Sequence, residues 1–518
     1  MTKATAAAAA TTMTTRSTRA AVGPPPHAPK RYAVVDLGSN SVRLVVFEGI
    51  SRNPVTIFNE KAVLRLGRGL ETTGRLNDDG VAQAVGVMMR FDAVVRGMGA
   101  ERFEVLATAA VRDATNGAEF VGMLRQTIPN ATIRILSGTE EADYSATGLL
   151  SGLTDADGLM ADIGGGSLEL VRLSDGRMSQ SQTLRLGVIR LADRAGGDVQ
   201  RARTLVEADL DHVPWLPTAG GRTLYLVGGA FRALARLQIA RTFYPLNIVH
   251  QYELGADEAR ELTGWVIGAS RRALERLPGS PRKRLDDMPY AATVLRRLLR
   301  RTSPTRVVFS VDGLREGWYM RHVAPQLLDQ PPLEAIAREM SLQLSRTQEL
   351  PPALIDWTAA LFPSETAAEH RLRVSACWMS DCGAHDHPEY RAEQSFTRIL
   401  RAPGVALSHP ARGFLALTMA MRYEAELDQA FLQSARRLLD PMALRRAEIL
   451  GLALRLAYVL CAGTPQLLEG TSLDQENDRL VLRLSGQRFA FNVESVSRRL
   501  ERLAQAAGLV PEIEGVPE

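Results

Sequence analysis

Lysine is nearly absent from this 518-residue chain: of its 62 basic residues only Lys3, Lys30, Lys61 and Lys283 are lysines, which leaves 58 arginines. Arginine presents a planar fork that grips phosphate oxygens in pairs, whereas lysine is a point charge. The excess fits a polyanionic ligand or an arginine-biased coding preference, and composition alone does not separate the two. Cysteine is also scarce: Cys377, Cys382 and Cys461 cannot staple a chain of this length, so a reducing compartment is expected. No apolar run reaches the roughly 18 residues that a membrane-crossing helix needs. The run Ala6 to Ala10 is too short and too weakly apolar for a secretory core. These absences predict a cytoplasmic protein without a membrane span. Net charge is small as well, at +4, yet 45% of residues are hydrophobic and 23% charged, which excludes disorder across the whole length. At roughly 150 residues per domain, three or four domains are expected.

Residues 1–30 are rich in Ala, Thr and Pro and read as a disordered tail, with an organelle presequence as the alternative. From Arg31 to Glu48 two β-branched runs flank a Gly/Ser/Asn turn, which predicts a hairpin. Periodicity then predicts a helix over Asn77–Met98, a strand at Phe103–Thr108, a helix over Gly117–Thr127 and a strand at Thr132–Leu136, making 31–152 one α/β domain. At Gly158 the pattern begins again with GLMADIGGGSLELVRLSD, opening a second α/β domain over 153–325. Both hairpins carry Asp-x-Gly-x-x-Ser, as Asp36, Gly38, Ser41 and Asp162, Gly164, Ser167. The repeat predicts two domains of one topology facing each other across a cleft; chance similarity of two glycine-rich hairpins is the alternative. Helix formers without strand runs make 326–445 an all-α unit, for example at Leu333–Thr347 and Pro352–Phe362. In 446–518, Asp478–Asn492 alternates like a hairpin around Ser485-Gly486, and Val493–Ala507 has the pattern of an amphipathic helix. This is a small α+β module.

Glycine at 38 and at 164, 165 and 166 lets backbone N–H groups approach a phosphate, and Ser39, Asn40, Ser41 and Ser167 add donors. Asp36 and Asp162, each closing a first strand, are placed to hold a divalent cation against the same phosphates. In LSGTEEADYSATGLL, residues 136–150, Ser137 or Thr139 caps a helix opened by Glu140 and Glu141. Acids in a first turn are routine, but a carboxylate beside bound phosphate is also suited to activating water. Thr108, Arg112 and Asn116 recur at four-residue spacing. Arg112 is either an anion clamp or the partner of Asp113 or Glu119. Gly228-Gly229 ends a strand and opens a helix, a phosphate-edge geometry that tight packing explains almost as well.

The segments Asp36-Leu-Gly-Ser-Asn-Ser41, Thr108-Ala-Ala-Val-Arg112, Ser137-Gly-Thr-Glu-Glu-Ala142, Asp162-Ile-Gly-Gly-Gly-Ser167 with Glu169, and Gly313-Leu-Arg-Glu-Gly317 stand in order and in register. They resemble the exopolyphosphatase/guanosine pentaphosphate phosphohydrolase family, and its long exopolyphosphatase-like branch in particular. The resemblance implies duplicated actin-like domains, of the ribonuclease H-like kind found in sugar kinases and heat-shock chaperones, with an interdomain cleft. An all-α HD-like domain and a small α+β domain follow. It implies Glu141 as catalytic base, Arg112 lining the active-site pocket, the two hairpins as phosphate loops, and Asp162 and Glu169 as metal-associated carboxylates for Mg²⁺ or Mn²⁺. Arg43, Arg65 and Arg68 beside the first loop, with Gly228 and Gly229, are further candidates for phosphate contact. The implied reaction is release of the terminal phosphate of inorganic polyphosphate. Hydrolysis of guanosine pentaphosphate is the alternative within the same chemistry. A guanosine tetra- or pentaphosphate-binding regulator with weak turnover and a fold-related kinase are the alternatives outside it. A homodimer is implied; no nucleic-acid partner is expected. Two departures stand out: Leu168 replaces the family's usual Thr, and Ala230-Phe231 follows Gly228-Gly229, which weighs against an adenosine-type contact.

Two further clusters have bland and sharp readings. Cys377, Cys382, His385 and His387 with His370 include a literal His385-Asp386 pair, but the spacing fits no common zinc pattern, so core or surface roles are expected. Residues 271–306 carry eleven Arg/Lys against Glu275, Asp286 and Asp287. They form either a solvated helical face or a basic track for a polyanion.

Overall fold

The computed structural model describes residues 29–277 and 280–516. The expected tail therefore lies, except for residues 29 and 30, outside the described residues. In the first half, β1 (Arg31–Leu37), β2 (Ser41–Glu48), β3 (Val55–Val63), β4 (Arg102–Ala107) and β5 (Thr132–Ile135) form a sheet in the order β3-β2-β1-β4-β5. β1 to β3 run as an antiparallel meander, and β1, β4 and β5 are parallel. In the second half β6 (Gly158–Ile163), β7 (Leu168–Ser174), β8 (Arg177–Leu184), β9 (Thr223–Val227), β10 (Tyr252–Gly255) and β11 (Arg306–Phe309) are ordered β10-β11-β9-β6-β7-β8. Apart from the antiparallel edge strand β10, this repeats the first sheet strand for strand, so the duplication expected from the two hairpins is present in the topology.

The strand sequences follow from their positions. All five residues of β9 are buried because a parallel strand between two others is covered on both faces. The edge strand β8 exposes most of its residues, and its sequence is correspondingly polar. Helices Asp78–Gly97 and Gly117–Thr127 cover one face of the first sheet and share its core with Val35, Phe91, Phe120 and Leu124.

Two helices join the halves. Gly138–Leu150 leaves the first sheet, and Leu314–Met320 returns to it after β11; Tyr144 of one and Trp318 and Tyr319 of the other pack with Phe47 and Val34. Their backbones touch through glycine. A methyl group on Gly148 would lie 2.1 Å from the Gly313 carbonyl oxygen, and one on Gly317 would lie 1.8 Å from that of Tyr144. Only glycine permits this approach, and it fixes the height of the first turn of Gly138–Leu150 against the second half.

Beyond residue 331 the chain is helical up to Cys461, including Pro332–Leu344, Ala367–Met379, His409–Arg422 and Pro441–Cys461. Three points correct the sequence reading of this region. The boundary at 445/446 falls inside the helix Pro441–Cys461. That helix and the C-terminal module share one continuous core running from Ile336 to Ala504, so apolar burial does not divide there. The hairpin is β12 (Thr471–Glu476) with β13 (Arg479–Ser485), turning at Asn477-Asp478, not around Ser485-Gly486. Asn477 takes the left-handed conformation, φ 52°, that a two-residue turn requires and that Asn tolerates. Alternation marks strands but not the turn between them. After the helix Glu494–Ala507, β14 (Val510–Val516), absent from the sequence reading, pairs parallel with β13.

Candidate active site

The two glycine-rich turns meet across the cleft. Each closes in the same way: the Gly38 N–H donates to the Ser41 carbonyl at 3.1 Å and the Gly164 N–H to that of Ser167 at 3.0 Å. They approach so closely that a methyl group on Gly166 would lie 2.5 Å from Ser39 Oγ. Gly228, at φ 101°, turns the chain from β9 into the helix Gly229–Arg241 beside them. Together they enclose a cavity of about 140 Å³, lined by Gly38, Ser39, Asn40, Ser41, Gly164, Gly165, Gly166, Ser167, Gly228 and Gly229 and by Asp36, Glu141, Asp162 and Glu169. Backbone amides and hydroxyls at this density suit phosphate oxygens.

Hairpin register places the carboxylates. Asp36 stands opposite Arg43 in the first hairpin; in the second, Asp162 stands opposite Glu169. Asp162 Oδ2 accepts a 2.6 Å hydrogen bond from Ser145, whereas Glu169 is 1% exposed and its Oε1 has no donor among the described residues. Burial raises the pKa of Asp36 and Asp162. It raises that of Glu169 well above the ordinary range, with Glu141 and Asp162 adding to the effect. Such a site has acids in excess of its own partners and is relieved by a cation. No group of three or more His, Cys, Asp or Glu among the described residues is arranged to hold a metal by itself. The donor set fits a hydrated Mg²⁺ or Mn²⁺ held by one or two carboxylates together with substrate phosphates.

Glu140 and Glu141 divide the work of the helix start. Glu140 completes the capping box with Ser137 and pairs with Arg134 at 2.9 Å. Glu141, one residue on, is 8% exposed and faces the cavity. Its Oε2 accepts from Arg112 Nη1 at 3.0 Å, and Arg112 Nη1 also reaches the Leu136 carbonyl at 3.1 Å. Burial pushes the Glu141 pKa up to about 7, against the opposing pull of Arg112. This places a carboxylate near the proton affinity suited to taking a proton from water at neutral pH. Arg112 does not line the cavity; it braces Glu141 from behind and pairs with Asp113 at 3.2 Å. The ion pair with Asp113, the alternative reading of Arg112, is thus present, with Glu141 as its second carboxylate partner. Asn116 of the same spacing faces elsewhere, accepting from the Leu76 N–H.

The cations around the cavity are partly those expected. Arg43 lines it, but the side chains of Arg65 and Arg68 are exposed and outside its lining. Arg65 serves through its backbone, donating to the Asn40 carbonyl at 3.0 Å from a left-handed conformation, φ 53°. Lys61, Arg232, Arg284 and Arg315 also line the cavity. Arg284 belongs to the basic run at 271–306 and Arg315 to the Gly313–Gly317 segment, whereas Lys61 and Arg232 stand in neither. Burial and then Arg315 bring the guanidinium groups of Arg43 and Arg232 each down to about 10. Desolvation, then Arg284, Arg43 and Arg232, brings the Lys61 ammonium to about 8. Arg43, Arg232 and Arg315 also line an adjoining cavity of about 510 Å³, which Arg236, Arg401 and Arg412 border.

Among the described residues, five of the eleven basic residues at 271–306 are ion-paired, Arg271, Arg284, Arg297, Arg301 and Arg306, for example Arg271 with Glu275 at 3.0 Å and Arg297 with Glu207 at 2.7 Å. Arg284 is its member in the cavity lining. The His/Cys cluster disperses into structural roles. Cys377 and Cys382 are buried, Asp386 accepts from Arg398 at 2.8 and 2.9 Å, and His370 pairs with Glu365 at 2.7 Å.

Several known proteins are similar to this chain. The chain is 27% identical over 288 residues to exopolyphosphatase 2 of Mycobacterium tuberculosis, covering 52% of this chain and 90% of that protein. It is 26% identical over 300 residues to the guanosine-5'-triphosphate,3'-diphosphate pyrophosphatase of Aeromonas salmonicida, covering 56% of this chain and 59% of that one. The crystal structure of an exopolyphosphatase from Cytophaga hutchinsonii superimposes with a TM-score of 0.52 at 22% identity, over 57% of this chain and 99% of that one. An exopolyphosphatase-like protein gives a TM-score of 0.51 at 24% identity, over 57% and 98%. These two structures share the fold of the duplicated half. The model of the exopolyphosphatase C-terminal domain matches residues 333–513. That of the Ppx/GppA phosphatase family matches residues 45–325, and the chain belongs to this family of phosphate-releasing hydrolases.

Proposed function

We propose that the protein hydrolyses the terminal phosphate of inorganic polyphosphate, with Glu141 as the general base. The observation that carries this reading is the position of Glu141: buried at the mouth of two amide-rich turns, held by Arg112 at 3.0 Å and free on its other side to meet water in the cavity. The turns at 38–41 and 164–167 hold the terminal phosphate. Glu141 takes a proton from a water whose oxygen bonds to the terminal phosphorus; the bridging P–O bond breaks, and its electrons stay on the shortened chain. Asp162, Glu169 and Asp36 are the carboxylates that would hold a Mg²⁺ or Mn²⁺ together with the substrate phosphates, and the ion would supply neutralisation of charge on the phosphate oxygens. Arg43, Arg232 and Arg315 carry the rest of the anion from the first cavity toward the second. Under the same proposal the helical domain is HD-like and the protein acts as a homodimer.

Guanosine pentaphosphate is the second reading, favoured by the likeness to the Aeromonas protein. Phe231, the aromatic residue nearest the Gly228-Gly229 turn in sequence, is fully buried and offers no face to a purine, which supports the linear polyanion. The test is phosphate release from long-chain polyphosphate and from guanosine pentaphosphate, with Mg²⁺, for the wild type and for Glu141→Gln and Glu141→Ala. Loss of a general base costs about 10²- to 10⁴-fold. Full activity in either variant removes Glu141 from the role, and faster turnover of the nucleotide reverses the substrate assignment.

A further inference from the structure

Far from the catalytic cleft, three helices bring arginines to one place. Arg422 ends His409–Arg422, Arg455 lies within Pro441–Cys461, and Arg498, Arg499 and Arg502 lie on Glu494–Ala507. The acids beside them are Glu424, Glu426 and, toward Arg502 and Arg445, Glu448, so the arginines outnumber the carboxylates. Glu424 is shared: Arg455 pairs with it, and Arg499 Nη2 lies 3.5 Å from its Oε1. Arg502 is paired with Glu426 at 2.7 Å. Arg422 is laid over the Tyr458 ring, 3.7 Å from its centroid, which fixes its plane.

Two observations set this cluster apart from an ordinary solvated face. Arg422 Nε, Arg455 Nη1 and Arg499 Nε are buried and have no acceptor among the described residues, one from each helix. A buried guanidinium N–H without an acceptor is costly, and Arg455 and Arg499 already share the one carboxylate of Glu424. Second, Glu424 holds a left-handed backbone, φ 76°, that a non-glycine residue adopts at a cost, while its side chain is 62% exposed. It is a single, exposed charge standing among cations that outnumber it. Burial, followed by Arg499, Arg422, Arg502 and Arg498, lowers the Arg455 guanidinium to about 9, the expected sign of an under-neutralised cluster.

We propose that this three-helix junction is a second anion site, binding a compact di- or triphosphate group that displaces Glu424 and bridges Arg422, Arg455 and Arg499. A tetrahedral phosphate offers acceptors in several directions at once, which suits donors converging from three helices better than an extended acidic peptide does. The group is supplied either by a short inorganic phosphate chain or by the phosphate tail of a nucleotide. The site is independent of the reading of the catalytic cleft.

The test is hydrogen exchange of the full-length protein with and without methylenediphosphonate, a diphosphate analogue that is not hydrolysed, and in parallel with GDP. Either probe is expected to protect residues 494–502 and 450–458. Protection by methylenediphosphonate identifies the inorganic source as sufficient; protection by GDP alone identifies the nucleotide tail. Arg455→Gln with Arg499→Gln is expected to abolish this protection while leaving that of the cleft turns 38–41 and 164–167 intact. Glu424→Gln, an exposed change that leaves the fold standing, removes the competing acid and is expected to tighten binding about tenfold. Absence of protection at 494–502 with both probes, or unchanged or weaker binding in Glu424→Gln, overturns the proposal.

Discussion

The backbone contact between the helices Gly138–Leu150 and Leu314–Met320 makes a sharp prediction for Gly317→Ala. The added methyl would lie 1.8 Å from the Tyr144 carbonyl oxygen and 3.0 Å from the Gly148 nitrogen. Carbon and oxygen need about 3.5 Å, so the helices must separate by well over about 1 Å, and the obstructing atom is backbone that no rotamer change can clear. Overpacking of this kind costs about 1–3 kcal/mol of stability. The functional cost is larger, because Glu141 sits on the first turn of the displaced helix. Its 3.0 Å bond from Arg112 and the 2.6 Å bond from Ser145 to Asp162 join that helix to other elements and cannot both follow it. Misplacing a catalytic group by about 1 Å costs about 100-fold in rate. The assay pairs urea unfolding with kcat for phosphate release. Gly122→Ala is the control: it is also helical, but nothing lies within 4 Å of its added methyl. It is expected to stabilise by about 0.5–1 kcal/mol with kcat unchanged. If Gly317→Ala keeps both stability and kcat, the two helices do not fix the position of Glu141.

Three other outcomes are expected. His250 and His409 lie where the second half meets the helical domain; His250 Nε2 is 2.8 Å from the Val405 carbonyl, and burial lowers both imidazoles to about 4. The folded state thus binds fewer protons than the unfolded state between about 4 and 6.5, so stability is full above about 6.5 and falls by roughly 2–3 kcal/mol per histidine as pH drops to about 4. Buried Asp312, 3.5 Å from His250 and raised in pKa, titrates in the opposite sense. The comparison that decides is therefore urea unfolding at pH 7 and 4.5 for the wild type and the His250→Gln/His409→Gln variant, and an equal pH slope in both refutes the assignment. Lys61 loses its charge near pH 8, so KM for polyphosphate should rise by up to about tenfold between pH 7 and 9. Lys61→Met should have the raised KM already at pH 7 and a flatter profile. Cys377 and Cys382, buried and pushed up to about 12 and 11, should resist a thiol reagent in the native protein and react after denaturation. Fast native labelling of either would contradict their core placement.

The parts of the fold legible in the sequence are those written locally. The two hairpins announce themselves by β-branched runs around glycine, and the capping box at Ser137 and Glu140 is a four-residue pattern. The parts missed depend on tertiary placement. β14 was unreadable because its sequence, VPEIEGV, contains proline and acidic residues that suit an edge and disguise a strand. Arg232 sits in a helix whose neighbours Phe231 and Ala233 are buried, so its segment reads as packing. Its place in the cavity appears only when the first-half hairpin closes over it. Arg65 and Arg68 fail in the opposite way: adjacency along the chain suggested phosphate contact, but the left-handed turn at Arg65 carries both side chains outward.

The duplication itself explains why a symmetric sequence motif yields an asymmetric site. Both hairpins present the same backbone cradle, because the same turn closes each, but the residue opposite the aspartate differs. Against Asp36 the register places Arg43, whose charge offsets the carboxylate and faces the arginine-bordered cavity beyond. Against Asp162 it places Glu169, which compounds the negative charge. One copy is thereby suited to the bare phosphate anion and the other to phosphate that arrives with a cation. Glu141 stands on the helix between the copies, and its carboxylate is raised by burial, opposed by Arg112 and raised further by Asp162 and Asp36. Neither half supplies those influences alone. The proton affinity of Glu141 near neutrality therefore draws on both copies with their unlike partners, and the Asp-x-Gly-x-x-Ser pattern they share cannot encode that difference.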